Sequence, residues 1–207
     1  MFMRADSSLL IATHNKGKLI EYKNMLSMIP LSLVCLGDFP VLQEVEETGL
    51  SFRENAILKA KGYARQTGLI TLADDSGLEV DALGGRPGIF SARYAGDRAS
   101  DADRVRKLLA DLLAAKDPER RARFVCEIAV LDSRNGNLVT FDGRCEGHIA
   151  FEPTGTNGFG YDPIFIPVGY TRSFGSLPST IKEKISHRGR ALRAARAFLS
   201  DLIESGA

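Results

Sequence analysis

Two adjacent carboxylates, Asp74 and Asp75, followed by a hydroxyl and a glycine at Ser76-Gly77, close an apolar run in this chain. Leu69 to Ala73 reads as a buried strand, and acids at the C-terminal end of such a strand are where α/β proteins place metal and phosphate chemistry. Side chains alternate along a strand, so the two acids start on opposite faces, and a chain break at Gly77 re-aims one of them. A surface turn is built from the same residue types. These residues alone do not separate the two readings.

Four further clusters carry chemistry. Thr13-His14-Asn15-Lys16-Gly17-Lys18 lies between a strand and a helix, where backbone N–H groups and two lysines attract phosphate. It is not a P-loop: Ala12 stands where the first glycine belongs, and Leu19 follows Lys18. A plain helix start capped by Asn15 is the competing reading. Glu46 and Glu47, in an irregular acidic segment, offer oxygen ligands to Mg²⁺, or serve only as solvated charge near a helix start. Gly155-Thr156-Asn157-Gly158-Phe159-Gly160-Tyr161-Asp162-Pro163 holds two aromatics between glycines, poor core material but a good stacking platform for a base. Lys182-Glu183-Lys184-Ile185-Ser186-His187-Arg188 supplies phosphate cations and two donors near a helix start, or else a solvated charge run.

The elements that must position these groups follow from periodicity. Ser8 to Thr13 reads as a strand, Lys16 to Ile29 as a helix, and residues 31 to 36 as a second strand. Ser51-Phe52-Arg53-Glu54 fits a capping box; the helix it opens has Phe52, Ala56, Ala60, Tyr63 and Ala64 on one face and ends at Gly68. Lys59 lies inside that helix, where a lysine ordinarily reaches into solvent. A glycine-rich loop spans Gly77 to Gly96. Ser100 caps a helix to Ala115, Asn135-Gly136 joins the strands 123–131 and 138–141, and a Gly/Pro segment runs from Pro153 to Pro167. The last helix passes through Ala191, Leu192, Ala195, Phe198, Leu199 and Leu202. Strands alternating with helices, plus one hairpin, mean an α/β fold with a mixed sheet.

Composition narrows the function classes. A chain of 207 residues fits one domain, with room for two lobes. Its 27 basic and 26 acidic residues argue against duplex DNA or an anionic membrane as partner. A small anionic ligand needs only a local cluster of cations. Cys35, Cys126 and Cys145 form no CxxC pair and read as thiols in a reducing compartment. With three histidines and no HExxH, a zinc site is disfavoured. The early apolar run, Leu9 to Ala12, is too short for a signal peptide, and nothing approaches a membrane span, so the expected location is cytoplasmic.

Taken in order, these clusters resemble the inosine/xanthosine triphosphate pyrophosphatase family. The matching stretches are Thr13-x-Asn15-x-x-Lys18, Glu46-Glu47-Thr48-Gly49 with Asn55 to Lys59, Asp74-Asp75-Ser76-Gly77, Gly84-Gly85-x-Pro87-Gly88 with Ser91-Ala92-Arg93-Tyr94, Phe159-Gly160-Tyr161-Asp162-Pro163, and Ser186-His187-Arg188. They span roughly residues 9 to 200. His14 is a departure, since glycine is usual there; the contact residues on either side are intact.

The resemblance implies Mg²⁺-dependent hydrolysis of ITP, dITP and XTP to the monophosphate and pyrophosphate. It assigns the triphosphate to the loop 13–18, chiefly Thr13, Asn15 and Lys18, with Lys59 and Lys182 as further cations. Asp75 becomes general base or metal ligand, Glu46 or Glu47 shares the metal, and Ser76 touches substrate. Phe159 and Tyr161, with Gly160 between them, hold the base, and Asp162, His187 and Arg188 stand at its edge. The implied fold is a long mixed sheet flanked by helices, in two lobes around a central active-site cleft, as a homodimer. A Nudix hydrolase is the nearest alternative, but no run of glutamates at helical spacing forms its metal helix. A binding module without chemistry would have no use for the acids.

Overall fold

The computed structural model describes residues 8–27, 29–30 and 32–204. Its elements run β1 (Ser8–Ile11), α1 (Lys16–Leu26), β2 (Ser32–Cys35), α2 (Phe52–Thr67), β3 (Ile70–Val80), α3 (Asp101–Ala115), β4 (Arg121–Leu131), β5 (Leu138–Ile149), β6 (Phe165–Pro167), α4 (Ser179–Ile185) and α5 (His187–Glu204). The strands form one mixed sheet in the order β2-β1-β3-β4-β5-β6. β1 pairs in parallel with both β2 and β3, and β5 pairs antiparallel with β6. The expected α/β class holds. Leu31, included in the sequence-derived second strand, lies outside the described residues.

Local signals explain most boundaries. Ser51 caps α2 by accepting from Glu54 N–H, while the Glu54 carboxylate reaches back to Leu50 N–H at 2.7 Å, one residue before the cap. Gly68 ends α2 in the left-handed conformation. Ser100 and Asp103 form a reciprocal capping box on α3. Asp132 anchors the β4–β5 turn, accepting from Arg134 and from Asn135.

Two expectations need correcting. The strand before the acids does not end there: β3 continues through Asp74, Asp75, Ser76 and Gly77 to Val80. Leu78 and Val80 are buried, so the second half of the strand has its own apolar anchor and Gly77 makes no break. β5 is likewise far longer than 138–141. In it, buried Gly143, Cys145 and Ile149 alternate with exposed Asp142, Arg144, Glu146 and His148, a half-buried strand with small inward residues.

The chain divides into two compact units. The first holds the described residues up to Asp75, with Glu127–Asp142 and those from Ala191 onward. Its core includes Leu10, Ala12, Leu36, Ala56, Ala60, Tyr63, Ala73 and Ala129. The second comprises Ser76–Cys126 and Gly143–Arg190, with a core built around Leu78, Val105, Leu108, Phe124, Phe165 and Phe174.

Candidate active site

In the first unit, β1 hands the chain to α1 through the 13–18 loop. Thr13 Oγ1 accepts from Asn15 N–H at 3.2 Å, and Asn15 Oδ1 caps the helix by accepting from Lys18 N–H at 3.0 Å. The capping reading of Asn15 therefore holds in this geometry. The His14 ring lies beside α2, with Nε2 3.3 Å from the Tyr63 hydroxyl. Lys16 is exposed and Gly17 half-buried.

The two acids of β3 diverge as strand alternation requires. Asp74 is 1 % exposed, and its Oδ2 meets Lys18 Nζ at 2.9 Å. Asp75 is 7 % exposed and faces α2. Its Oδ2 accepts from Asn55 Nδ2 at 3.0 Å, and its Oδ1 lies 4.0 Å from Lys59 Nζ. Lys59 also meets Glu47 Oε2 at 3.2 Å. Lys59 is thus drawn into a carboxylate cluster instead of reaching into solvent. Burial holds the Asp75 carboxyl above its ordinary range; Lys59 and Lys18 pull it down and Glu47 pushes it up. Glu46 is exposed.

A divalent cation suits this donor set. No group of three His, Cys, Asp or Glu side chains able to hold a metal occurs among the described residues. Mg²⁺ ordinarily needs only one or two carboxylates, with substrate phosphates completing its shell. Asp75 and Glu47 already converge on one cationic group, and the buried Asp75 carboxylate stands to gain most from another positive charge.

The second unit gathers the other cluster around Phe159. Lys182 Nζ lies 4.6 Å from the Phe159 ring centroid and the Arg188 guanidinium 5.7 Å from it. Lys182 is no solvated charge: it is buried and bonded to Asp162 Oδ2 at 2.5 Å. That carboxylate also accepts from Phe159 N–H at 2.8 Å, so Asp162 organises the loop. Gly158 has φ +75°, and a Cβ there would fall 2.0 Å from Asp162 Oδ2, so only glycine permits this turn. Arg188, 1 % exposed at the start of α5, donates from Nη2 to Ser76 Oγ at 2.8 Å. His187 is buried with its ring stacked on Phe124, centroids 4.7 Å apart.

Tyr161 corrects the expectation of a second stacking face. It is buried in the core of its unit, and its hydroxyl donates to the Ser91 carbonyl at 3.0 Å. Phe159 alone of the two is half-buried. Ser91 in turn accepts from Leu78 N–H on β3 and donates to Gly88 O, so the Ser91-Ala92-Arg93-Tyr94 stretch begins as a brace.

The sequence pattern of the Ham1 family matches residues 9–198. The chain belongs to the Ham1 family. A dITP/XTP pyrophosphatase of Geobacter sulfurreducens is 50% identical over 191 residues, covering 92% of this chain and 96% of that protein. A dITP/XTP pyrophosphatase of Bacillus cereus is 45% identical over 192 residues, covering 92% and 94%. Among solved structures, a HAM1 protein from Coxiella burnetii matches with a TM-score of 0.85 at 44% identity, covering 94% of this chain and 98% of that one. The Staphylococcus aureus Ham1 protein matches at 0.83 and 40%, with the same coverages.

Two partnerships in these clusters were missed by the sequence reading, which took Asp74 only as half of an acid pair and Asn55 only as part of a matching stretch. Asp74 is the partner of Lys18, and Asn55 the partner of Asp75. A signal for Asn55 existed: it lies four residues before Lys59, hence on the same face of α2. A buried amide one turn from a lysine marks a polar seam beside the apolar face.

Proposed function

We propose that this chain hydrolyses noncanonical purine nucleoside triphosphates (dITP, XTP and ITP) to the monophosphate and pyrophosphate, with Mg²⁺ as its metal. The observation that carries this reading is the buried Asp75 carboxylate, held by Asn55 and facing Lys59 and Glu47, in the unit that also carries Lys18 on Asp74. A binding module has no need to bury a carboxylate against its own solvation. The relatives named as dITP/XTP pyrophosphatases supply the substrate class.

In this reading Thr13, Asn15 and Lys18 hold the triphosphate, with Lys59 beside them. Lys18 keeps donors for phosphate while bonded to Asp74, because an ammonium carries three N–H groups. Asp75 and Glu47 hold the Mg²⁺, which when bound neutralises phosphate charge and polarises the anhydride. Asp75 orients the attacking water or accepts its proton at a carboxylate oxygen. Phe159 stacks on the purine, with Lys182 held beside its ring by Asp162. The whole chain acts as one catalytic domain, and we extend the reading to a homodimer in the cytoplasm. Light scattering at micromolar concentration checks the dimer.

Two results follow for the reaction itself. With Lys18 and its neighbours gripping the β- and γ-phosphates as one leaving group, ITP yields pyrophosphate and IMP. Orthophosphate with a diphosphate product, resolved by ion-exchange chromatography, would reverse the orientation assigned to the substrate. EDTA should stop turnover and added Mg²⁺ restore it. Activity that survives thorough chelation would remove the metal from the site.

A further inference from the structure

We propose that Asn55 is the positioning residue that orients Asp75 and couples it to the acidic segment bearing Glu46 and Glu47; this deepens the catalytic reading above and rests on it. Asn55 is 1 % exposed and uses both ends of its amide. Nδ2 donates to Asp75 Oδ2 at 3.0 Å, and Oδ1 accepts from Gly49 N–H at 2.8 Å. Chemistry fixes the amide's orientation. The flipped form would set its oxygen against a carboxylate and its NH₂ against a backbone N–H.

Gly49 is there for the same contact. A Cβ on it would lie 2.7 Å from Asn55 Oδ1 and 2.6 Å from Glu54 Cβ, so any side chain pushes the segment away from α2. The segment is fastened along the helix at other points. Gln43 N–H donates to Gln66 Oε1 at 2.8 Å, and Gln66 Nε2 donates back to Gln43 O at 3.0 Å. A Cβ on Gly62 would fall 2.5 Å from Val45 Cγ2, so Val45 lies flat against the helix. The contacts then close a circuit. Asp75 meets Asn55, Asn55 meets Gly49, Glu47 two residues earlier meets Lys59, and Lys59 returns to Asp75. An amide suits the shared corner, since its NH₂ donates to a carboxylate while its oxygen accepts from a backbone N–H.

The role divides the kinetic constants in a defined way. A residue that sets the direction of Asp75 without touching nucleotide should act on kcat and spare KM. Asn55→Asp keeps the acceptor for Gly49 and loses the donor to Asp75; Asn55→Ala loses both. Each should lower kcat for ITP by about 10–100-fold, with KM within about three-fold of wild type. In an Asp75→Asn background, Asn55→Asp should cost no further turnover, because the carboxylate it orients is gone. A kcat within two-fold of wild type in folded Asn55→Asp, a loss confined to KM, or independent losses in the double variant each overturn the proposal. If both Asn55 variants fail to fold, chains that keep Asn55 still decide. The Asn55 side-chain amide resonance should shift on Asp75→Asn, and an unmoved resonance overturns the link. Wild-type chain that releases no pyrophosphate from ITP defeats the functional reading instead, and leaves the resonance test standing.

Discussion

Asp75→Asn is expected to lower pyrophosphate release from ITP by about 10²–10⁴-fold, the range a positioned general base or water-orienting carboxylate contributes. The same substitution should not weaken the fold. Burial outweighs Lys59 and Lys18 and holds the Asp75 carboxyl above its ordinary range, so folding favours its protonated form. The sign follows from linkage. A raised carboxyl pKa contributes stability below the unfolded-state value, and that contribution is lost as pH rises through the folded-state value. At neutral pH the ionised carboxylate therefore weakens the metal-free fold. Asparagine removes the charge, and its side-chain oxygen can still accept from Asn55. Thermal unfolding in EDTA at pH 7.5 should give the variant a midpoint equal to or above wild type. The difference should shrink at acid pH, where wild-type Asp75 is itself protonated. A midpoint several degrees below wild type at neutral pH would show that the Lys59 contact outweighs desolvation. Near-wild-type turnover would remove Asp75 from the mechanism. Destabilisation without lost activity is the outcome least compatible with a functional carboxylate.

What was legible in the chain was local. Ser51, Gly68, Ser100 and Asn135-Gly136 mark helix and turn boundaries through contacts a few residues long, and the structure carries each of them. β3 shows where local reasoning stops. Asp-Asp-Ser-Gly has turn chemistry, yet buried Leu78 and Val80 carry the strand onward, and those anchors exist only once a core surrounds them. The acids were visible as a pair, and alternation placed them on opposite faces. Their partners lie far along the chain: Lys18 for Asp74, Asn55 and Lys59 for Asp75. No spacing rule reaches those distances. The stacking face expected of Tyr161 and the solvated alternative for Lys182 failed differently. An aromatic among glycines looks unpackable, and a lysine in a charged run looks solvated. Ser91 and Asp162 supply the partners that bury them.

Base selectivity is expected to separate the residues around Phe159 into two kinds. Hypoxanthine and xanthine carry a 6-keto acceptor where adenine carries an amino donor. The cluster is rich in donors: Lys182 and Arg188 both lie over the Phe159 ring, an ammonium and a guanidinium that carry donors and no acceptor. A keto oxygen pairs with such a group, whereas an amino group leaves it desolvated and unmatched. Sites built on a hydrogen bond of this kind reject the mismatched analogue by up to about 10⁴–10⁵. Wild-type kcat/KM should therefore favour ITP over ATP by several orders of magnitude. Arg188→Ala should narrow that ratio by at least about ten-fold, the loss of one charged hydrogen bond. Because Arg188 is fully buried, Arg188→Met, which retains much of its bulk, should narrow the ratio with less cost to folding. Phe159→Ala tests the other kind of contact. Stacking contributes about 1–3 kcal/mol per base whatever the base, so its removal should lower kcat/KM for ITP, XTP and ATP by similar factors. A Phe159→Ala variant that changes the ITP/ATP ratio as much as Arg188→Ala would mean that the ring selects by shape. Equal hydrolysis of ATP and ITP by wild type would remove base reading from this cluster altogether.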